Sequence, residues 1–194
     1  LKPTYRNHVL LTFDDGPHPE TTPRVLRLLR QYDARAIFFV IGSRIHRAPQ
    51  MLPRIIDEGH LLGNHTFTHP LDRQFGFREY KNDLLRCEDV IREHTAVTAR
   101  LHRPPLGSIS PATAFAPRSL GLRTILWSVE GRDWALRDSE EAVWRATQLV
   151  DRVRPRDIIC LHDEDAHSAE LLEFLLPRLY HRGLQFNVDL EEAL

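Results

Sequence analysis

The sequence predicts an α/β fold in a single domain, with parallel strands inside and helices outside. Three observations predict it. Short apolar, β-prone runs alternate with helical stripes along the whole chain, proline or glycine punctuates almost every junction, and no repeat or linker divides the chain. Parallel strands need long crossovers, and a helix between successive strands supplies them. Seven runs are present, enough for an incomplete (β/α)7 barrel or an open doubly wound sheet; the pattern is read as the barrel.

The first run, Val9 to Phe13, ends in Asp14 and Asp15 and turns at Gly16-Pro17. Val25, Leu28, Leu29 and Tyr32 then fall at i, i+3, i+4 and i+7, one face of a helix. The second run is Ala36 to Ile41. Pro49 to Glu58 reads as a helix carrying Leu52, Ile55 and Ile56, with proline at its first position. The third run is His60 to His65, followed by the stripe Tyr80, Leu84, Cys87 and Ile91. Arg100 to Arg103 and Thr124 to Val129 are the fourth and fifth runs. A helix over Ser139 to Val153 carries Val143, Ala146, Val150 and Val153. The sixth run, Ile158 to His162, precedes the stripe Leu171, Leu172, Leu175 and Leu179, and Leu184 to Val188 is the seventh.

Composition narrows the class. The chain has 194 residues, 42% hydrophobic and 27% charged, which fits one globular domain over residues 1–194. A net charge of -1 argues against a nucleic-acid or anionic-membrane partner, and no run is long enough to span a bilayer. Arg152, Arg154 and Arg156 lie among acids and read as solvated surface. Cys87 and Cys160 fall in different elements and read as free thiols. No leader is recognised and the chain begins at Leu1, which suits a trimmed form.

The candidate chemistry gathers at strand ends: Asp14 and Asp15 at the first, His65 at the third, Arg103 at the fourth and His162 at the sixth. In a parallel barrel these ends share one rim, where active sites are built. Adjacent carboxylates raise each other's pKa, and a shared cation is the simplest compensation. His65 and His69 are four residues apart, so on a helical turn both would reach one ion. With Asp15 they would make a two-histidine, one-carboxylate site suited to zinc, cobalt or iron. Singly, each piece also has a plain structural reading. Asp14-Asp15-Gly16 is ordinary turn chemistry, Arg103-Pro104-Pro105-Leu106-Gly107 is a stiff loop, and Asp133-Trp134 is a surface acid beside an aromatic. His162 is as readily a core histidine.

In this order and at these strand ends, the pieces resemble the polysaccharide deacetylases of the NodB-homology type, carbohydrate esterase family 4. The likeness runs from Thr12-Pro17 to the Gly183-Leu184-Gln185-Phe186 strand and includes Gly59-His60, Gly63-Asn64-His65 and Trp127-Ser128-Val129. It implies a distorted (β/α)7 barrel, in agreement with the seven runs. It implies that Asp15, His65 and His69 hold a divalent metal, most simply Zn2+ with Co2+ as the next choice. Asp14 would be the base toward a metal-bound water, Arg103 its partner, His162 the general acid and Asp133 the residue tuning it. Pro105, Leu106, Gly107 and Trp134 would line the substrate groove, with the Leu106 N–H facing the oxyanion. The implied activity is N-deacetylation of N-acetylglucosamine-containing glycans, chitin oligomers or peptidoglycan, releasing acetate. An extracytoplasmic site of action is favoured, and oligomeric state is left open.

Departures from the family pattern bear on substrate. Leu106 stands where an aromatic is usual, Glu130 where aspartate is frequent and Cys160 where leucine is usual; the loop from Leu71 to Phe77 is also unlike the common one. Two alternatives therefore stay open: an O-acetyl esterase, and a glycan-binding homologue without catalysis. His18, His46, His94, His102, His167 and His181 are assigned to surface or loop positions. Asp14 and Asp15 are expected to divide their work because strand alternation sends them to different sides.

Overall fold

A computed structural model describes residues 7–70 and 75–187; Val188, at the end of the seventh run, and residues 71–74 of the unusual loop lie outside the described residues. Seven strands form one sheet: β1 (Leu10–Asp14), β2 (Ala36–Val40), β3 (Leu61–Asn64), β4 (Leu101–His102), β5 (Arg123–Thr124), β6 (Val129–Glu130) and β7 (Ile158–His162). Their order is β5-β4-β3-β2-β1-β7-β6 and every pairing is parallel.

The strand count agrees with the sequence, but the membership differs. The fifth run is not one strand. Its ends, β5 and β6, lie on opposite edges of the sheet, and residues 125–128 cross between them. Five peptide steps from Thr124 to Val129 span at most about 17 Å, so the sheet must curl until its edges nearly meet. The crossing backbone serves both edges: Ile125 N–H donates to His102 and Ser128 N–H to Ile158. The result is a curled half-barrel closed on one side by an irregular segment.

Among its described residues the seventh run contributes one bridge to the sheet, Gln185 with His8. From Leu10 onward β1 is paired on both sides, by β7 and then β2. A further strand can therefore pair only with the residues before it, where Val9 N–H donates to Gln185.

Among the described residues seven helices accompany the sheet: α1 (Thr21–Gln31), α2 (Gly42–Ile45), α3 (Met51–Asp57), α4 (Phe77–Thr95), α5 (Pro111–Ser119), α6 (Ser139–Arg152) and α7 (Ala166–His181). Pro49 precedes α3 rather than opening it, since the helix begins at Met51. Along α6 Ala146 and Val153 are buried as expected, but Ala142 and Leu149 complete the stripe in place of Val143 and Val150, which are only half-buried. α5 was not expected from the sequence; its start carries the signal, where Ser110 accepts from Thr113 N–H and proline follows.

Two core layers set up the site. Leu11 and Phe13 of β1 pack outward with Val25, Leu29, Leu172 and Leu175 of the helices. Leu10, Ile37, Phe39, Leu101, Ile125 and Ile158 pack on the other, inner face with Trp127. Alternation along β1 then assigns Thr12 and Asp14 to the inner face with Leu10. In β7 the same rule assigns Cys160 and His162, with Ile158, to that face, and Cys160 pairs in register with Thr12. Both cysteines are free and buried.

Candidate active site

Strand register delivers the first two residues together, because Asp14 at the end of β1 pairs with His162 at the end of β7. Arg103 follows β4, two strands beyond β2, and its side chain crosses the barrel interior with 0% exposure. Its Nη1 donates to Asp14 Oδ1 at 2.8 Å and to Thr12 Oγ1 at 2.7 Å, while Nε donates to the Ile125 carbonyl at 3.0 Å. The guanidinium also lies 4.3 Å from the Phe39 ring centroid and 5.3 Å from that of Trp127. A buried cation needs a counter-charge and partners for its donors; Asp14, Thr12 and Ile125 provide them for Nη1 and Nε, while Nη2 has no hydrogen-bond partner among the described residues.

Asp15 does not follow the pleat. The strand has ended and Asp15 adopts φ 74°, so left-handed backbone rather than alternation turns its side chain. Both carboxylates approach His65: Asp15 Oδ1 is 3.3 Å from its Nε2 and Asp14 Oδ2 is 3.9 Å away. Arg44 of α2 donates to the Asp15 carbonyl at 2.7 Å and pairs with Glu164, which fixes this bend.

His65 and His69 converge, but not on a helical turn. The segment between them is irregular, with Thr66 at φ 68° and His69 at φ 53°. It is pinned instead by buried polar groups. Asn64 Oδ1 accepts from Thr66 N–H, and Asp83 Oδ2 accepts from the N–H groups of Phe67 and Thr68 and from the Thr68 hydroxyl. His65 Nδ1 is bonded to the Arg103 carbonyl at 2.7 Å, leaving Nε2 as the inward nitrogen. His69 Nε2 also lies 3.3 Å from Asp15 Oδ1.

This cluster fits a divalent cation. Asp15 Oδ1 is buried and has no hydrogen-bond partner although two imidazole nitrogens stand beside it. Asp15, His65 and His69 offer one carboxylate oxygen and two ring nitrogens, all within 4.8 Å of one another, a donor set suited to zinc and its neighbours. The acids and imidazoles of the cluster also perturb one another. Burial pushes the Asp15 carboxyl up, but His65, His69 and His162 together hold it well below the usual range. Burial pushes His65 down, but Asp14 and Asp15 outweigh it and raise the ring. His69 is lowered, by burial and then by the charge of His65.

On the other flank, Asp133 opens a short 3-10 turn, Asp133–Ala135, and holds His162 twice. Its Oδ2 accepts from the His162 N–H at 2.7 Å, and its Oδ1 is 2.8 Å from Nδ1. Burial pushes the imidazole down, but Asp133, Asp14 and Asp15 raise it to about 9. Nε2 of His162 is therefore the protonated, inward nitrogen, a suitable proton donor at neutral pH.

Of the expected groove residues, Leu106 and Trp134 are open to solvent at 64% and 56%. Pro105 is buried. Gly107 has φ 63°, and a Cβ there would lie 2.6 Å from the Trp127 ring, so its visible part is to admit that ring. One histidine was misassigned. His102 is fully buried between Tyr80 and Thr124, bonded to both, and burial lowers it to about 3.

Sequence reasoning missed the supports: Thr12, Arg44, Asn64, Asp83 and Asp163. Asp83 carried a signal, being an acid on the buried face of α4 with Tyr80, Leu84 and Cys87. Asp163 is buried, bonded to Thr22 and raised to about 7 by burial, and a Cβ on Gly16 would collide with it. Cys160, noted in the sequence as a departure where leucine is usual, is polar in effect: its Sγ–H donates to Asp14 Oδ2 at 3.4 Å.

Fold and site together define a class: a parallel half-barrel whose C-terminal rim carries a two-histidine, one-carboxylate cluster, an arginine-held acid and an acid-held histidine. The chain belongs to the polysaccharide deacetylase family, whose model matches residues 2–125. It is 36% identical to a peptidoglycan-N-acetylglucosamine deacetylase of Bacillus cereus, over 99% of this chain and 90% of that protein. It is 34% identical to a chitooligosaccharide deacetylase of a Bradyrhizobium species, over 92% of this chain and 87% of that one. Its fold matches the solved structure of the peptidoglycan deacetylase PdaC from Bacillus subtilis, with a TM-score of 0.83 and 31% identity over 93% of this chain and 87% of that one. The Bacillus cereus likeness extends beyond residue 125 and so takes in the segment bearing Asp133, Cys160 and His162.

Proposed function

We infer that this protein is a divalent-metal-dependent N-deacetylase acting on glycans that contain N-acetylated sugars, of the peptidoglycan or chitin-oligomer type. The observation that carries the reading is the orphaned Asp15 Oδ1 between two histidines, with a held acid on one side and a held, protonated imidazole on the other. Asp15, His65 and His69 would hold the cation, most simply Zn2+. When bound, such a cation polarises a carbonyl and makes water available as a nucleophile near neutral pH.

The chain's own residues supply the proton traffic. Arg103 fixes Oδ1 of Asp14, which leaves Oδ2 to take a proton from the attacking water. As the carbon–nitrogen bond breaks, His162 gives its Nε2 proton to the departing amine nitrogen, and Asp133 stabilises the imidazolium beforehand. Water is consumed, and acetate and a free amino sugar leave. The effort spent on keeping His162 protonated favours an amide over an ester, because nitrogen is the poorer leaving group. The intact set of Asp14, Arg103, Asp133 and His162 weighs against a binding protein without catalysis. Relatives named for peptidoglycan support an extracytoplasmic site of action. Among the described residues no helix is long and apolar enough to cross a membrane.

The test is acetate release from chitin oligomers, peptidoglycan and acetylxylan after metal add-back. Release from an N-acetylated glycan is expected, and metal-loaded protein that releases none would refute the reading. Asp14→Asn should retain the metal and lose about 10² to 10⁴ in rate, whereas His65→Ala should lose the metal itself.

A further inference from the structure

A second group of ligand-type atoms stands beside the first and is not needed to hold it. Asp14, Cys160 and His162 each offer one atom, and these lie within 4.8 Å of one another. Their arrangement follows from the sheet, since Asp14 and His162 are register partners at the rim and Cys160 lies two residues back on the same face of β7. We propose that Asp14, Cys160 and His162 form a second, inhibitory site for a soft divalent cation such as Cd2+ or excess Zn2+.

Three features of the site support it. The sulfur is already directed at the carboxylate, with Cys160 Sγ 3.4 Å from Asp14 Oδ2. His162 is presented as ligating histidines are, one ring nitrogen tied to the Asp133 carboxylate and the other turned inward. Sulfur, nitrogen and oxygen donors together select zinc and cadmium over harder ions. Asp14 Oδ1 stays with Arg103, whose charge offsets part of the added anion when the thiol ionises. As the cation enters, the Cys160 thiol proton and one ring proton of His162 pass to solvent. This proton loss, together with the nearby Arg103, makes the site weaker than the Asp15, His65 and His69 site, so it fills only when metal is in excess. Filling it blocks turnover, because the same two side chains serve as base and acid in the deacetylase reading on which the inhibition rests.

The experiment titrates CdCl2 into protein already holding one equivalent of Zn2+. Bound metal, ultraviolet absorbance and acetate release are followed together. A second equivalent is expected to bind with a cadmium–thiolate charge-transfer band, and activity should fall in step. Only a thiolate ligand gives that band, so cadmium exchanged into the carboxylate–histidine site stays silent. Cys160→Leu and Cys160→Ser should lose the band and raise the inhibitory cadmium concentration at least about tenfold. Cys87→Ala should keep both, because Cys87 is buried on α4, where its sulfur faces the Val40 carbonyl. Serine is close to cysteine in volume, which makes the second variant compatible with folding. The proposal is overturned if wild type takes up no second equivalent, shows no band, or is inhibited equally after Cys160→Leu. Band and stoichiometry need no turnover, so they decide the site even if no deacetylation is found.

Discussion

At the scale of single residues, the site depends on groups that never touch a substrate. Asp83 accepts three hydrogen bonds from the segment joining His65 to His69 and is itself buried. Removing it orphans two backbone N–H groups and frees both imidazoles to drift. Asp83→Ala should therefore weaken metal retention by about 10- to 100-fold, read by chelator competition, with Asp83→Asn less severe because its carbonyl can still accept. Asp133 acts through charge. In its proposed role as general acid His162 must be protonated, so the rate should fall as pH rises through about 9, where it loses its proton. In Asp133→Asn burial prevails, and that fall should move to lower pH by about one unit or more. The same pair has a stability signature. Because the folded pKa is raised, its contribution is full below the ordinary histidine value and is lost as pH climbs to about 9. Thermal melts across this range should show the loss in wild type and not in Asp133→Asn. The candidate ligands and the pairs of Asp14 with Arg103 and Asp133 with His162 were legible in the sequence because most of them stand at or just beyond a strand end in a recognisable string. Asp83, Arg44 and Asp163 were not, since their partners are backbone groups or distant side chains that only the fold brings near.

At the scale of elements, short strands position long side chains. Gly63 in β3 lies over Phe39 of β2, and a Cβ on it would overlap the Phe39 ring. Phe39 in turn lies under the Arg103 guanidinium. Gly63→Ala should push that ring toward Arg103 and cost about 1–3 kcal/mol in stability, read by denaturant unfolding. Activity should fall as well, because Arg103 sets Asp14. The strands that run deep in the sheet, β1, β2 and β7, were evident from continuous apolar runs, as doubly covered parallel strands should be. The fifth run defeated that rule. Thr124 to Val129 has the composition of a strand, yet its ends answer to two different neighbours, β4 and β7, on opposite sheet edges. Composition reports burial, and burial is the same whether a segment pairs along one strand or bridges two. α5 escaped for the complementary reason, since a short helix interrupted by Pro117 carries little periodic signal.

At the scale of the whole molecule, the half-barrel gathers negative charge at one rim and balances it unevenly. Asp14 is matched by Arg103, whereas Asp15 leaves a buried oxygen without a hydrogen-bond partner between two imidazoles. A cation held there, as proposed, would bind only the folded chain, because the candidate ligands come from the end of β1 and the segment after β3, which the sheet alone brings together. Binding should therefore stabilise the whole fold. At a free metal concentration one hundred times the dissociation constant, the gain is about 2.7 kcal/mol. For a domain of this size that corresponds to a melting shift on the order of 5–10 °C. Chelation should remove the shift and Zn2+ should restore it in wild type and in Asp14→Asn, which keeps all three ligands. His65→Ala should melt at one temperature with or without chelator. Equal shifts in His65→Ala and wild type would mean that the stabilising ion sits elsewhere, and the assignment of Asp15, His65 and His69 would fall with it.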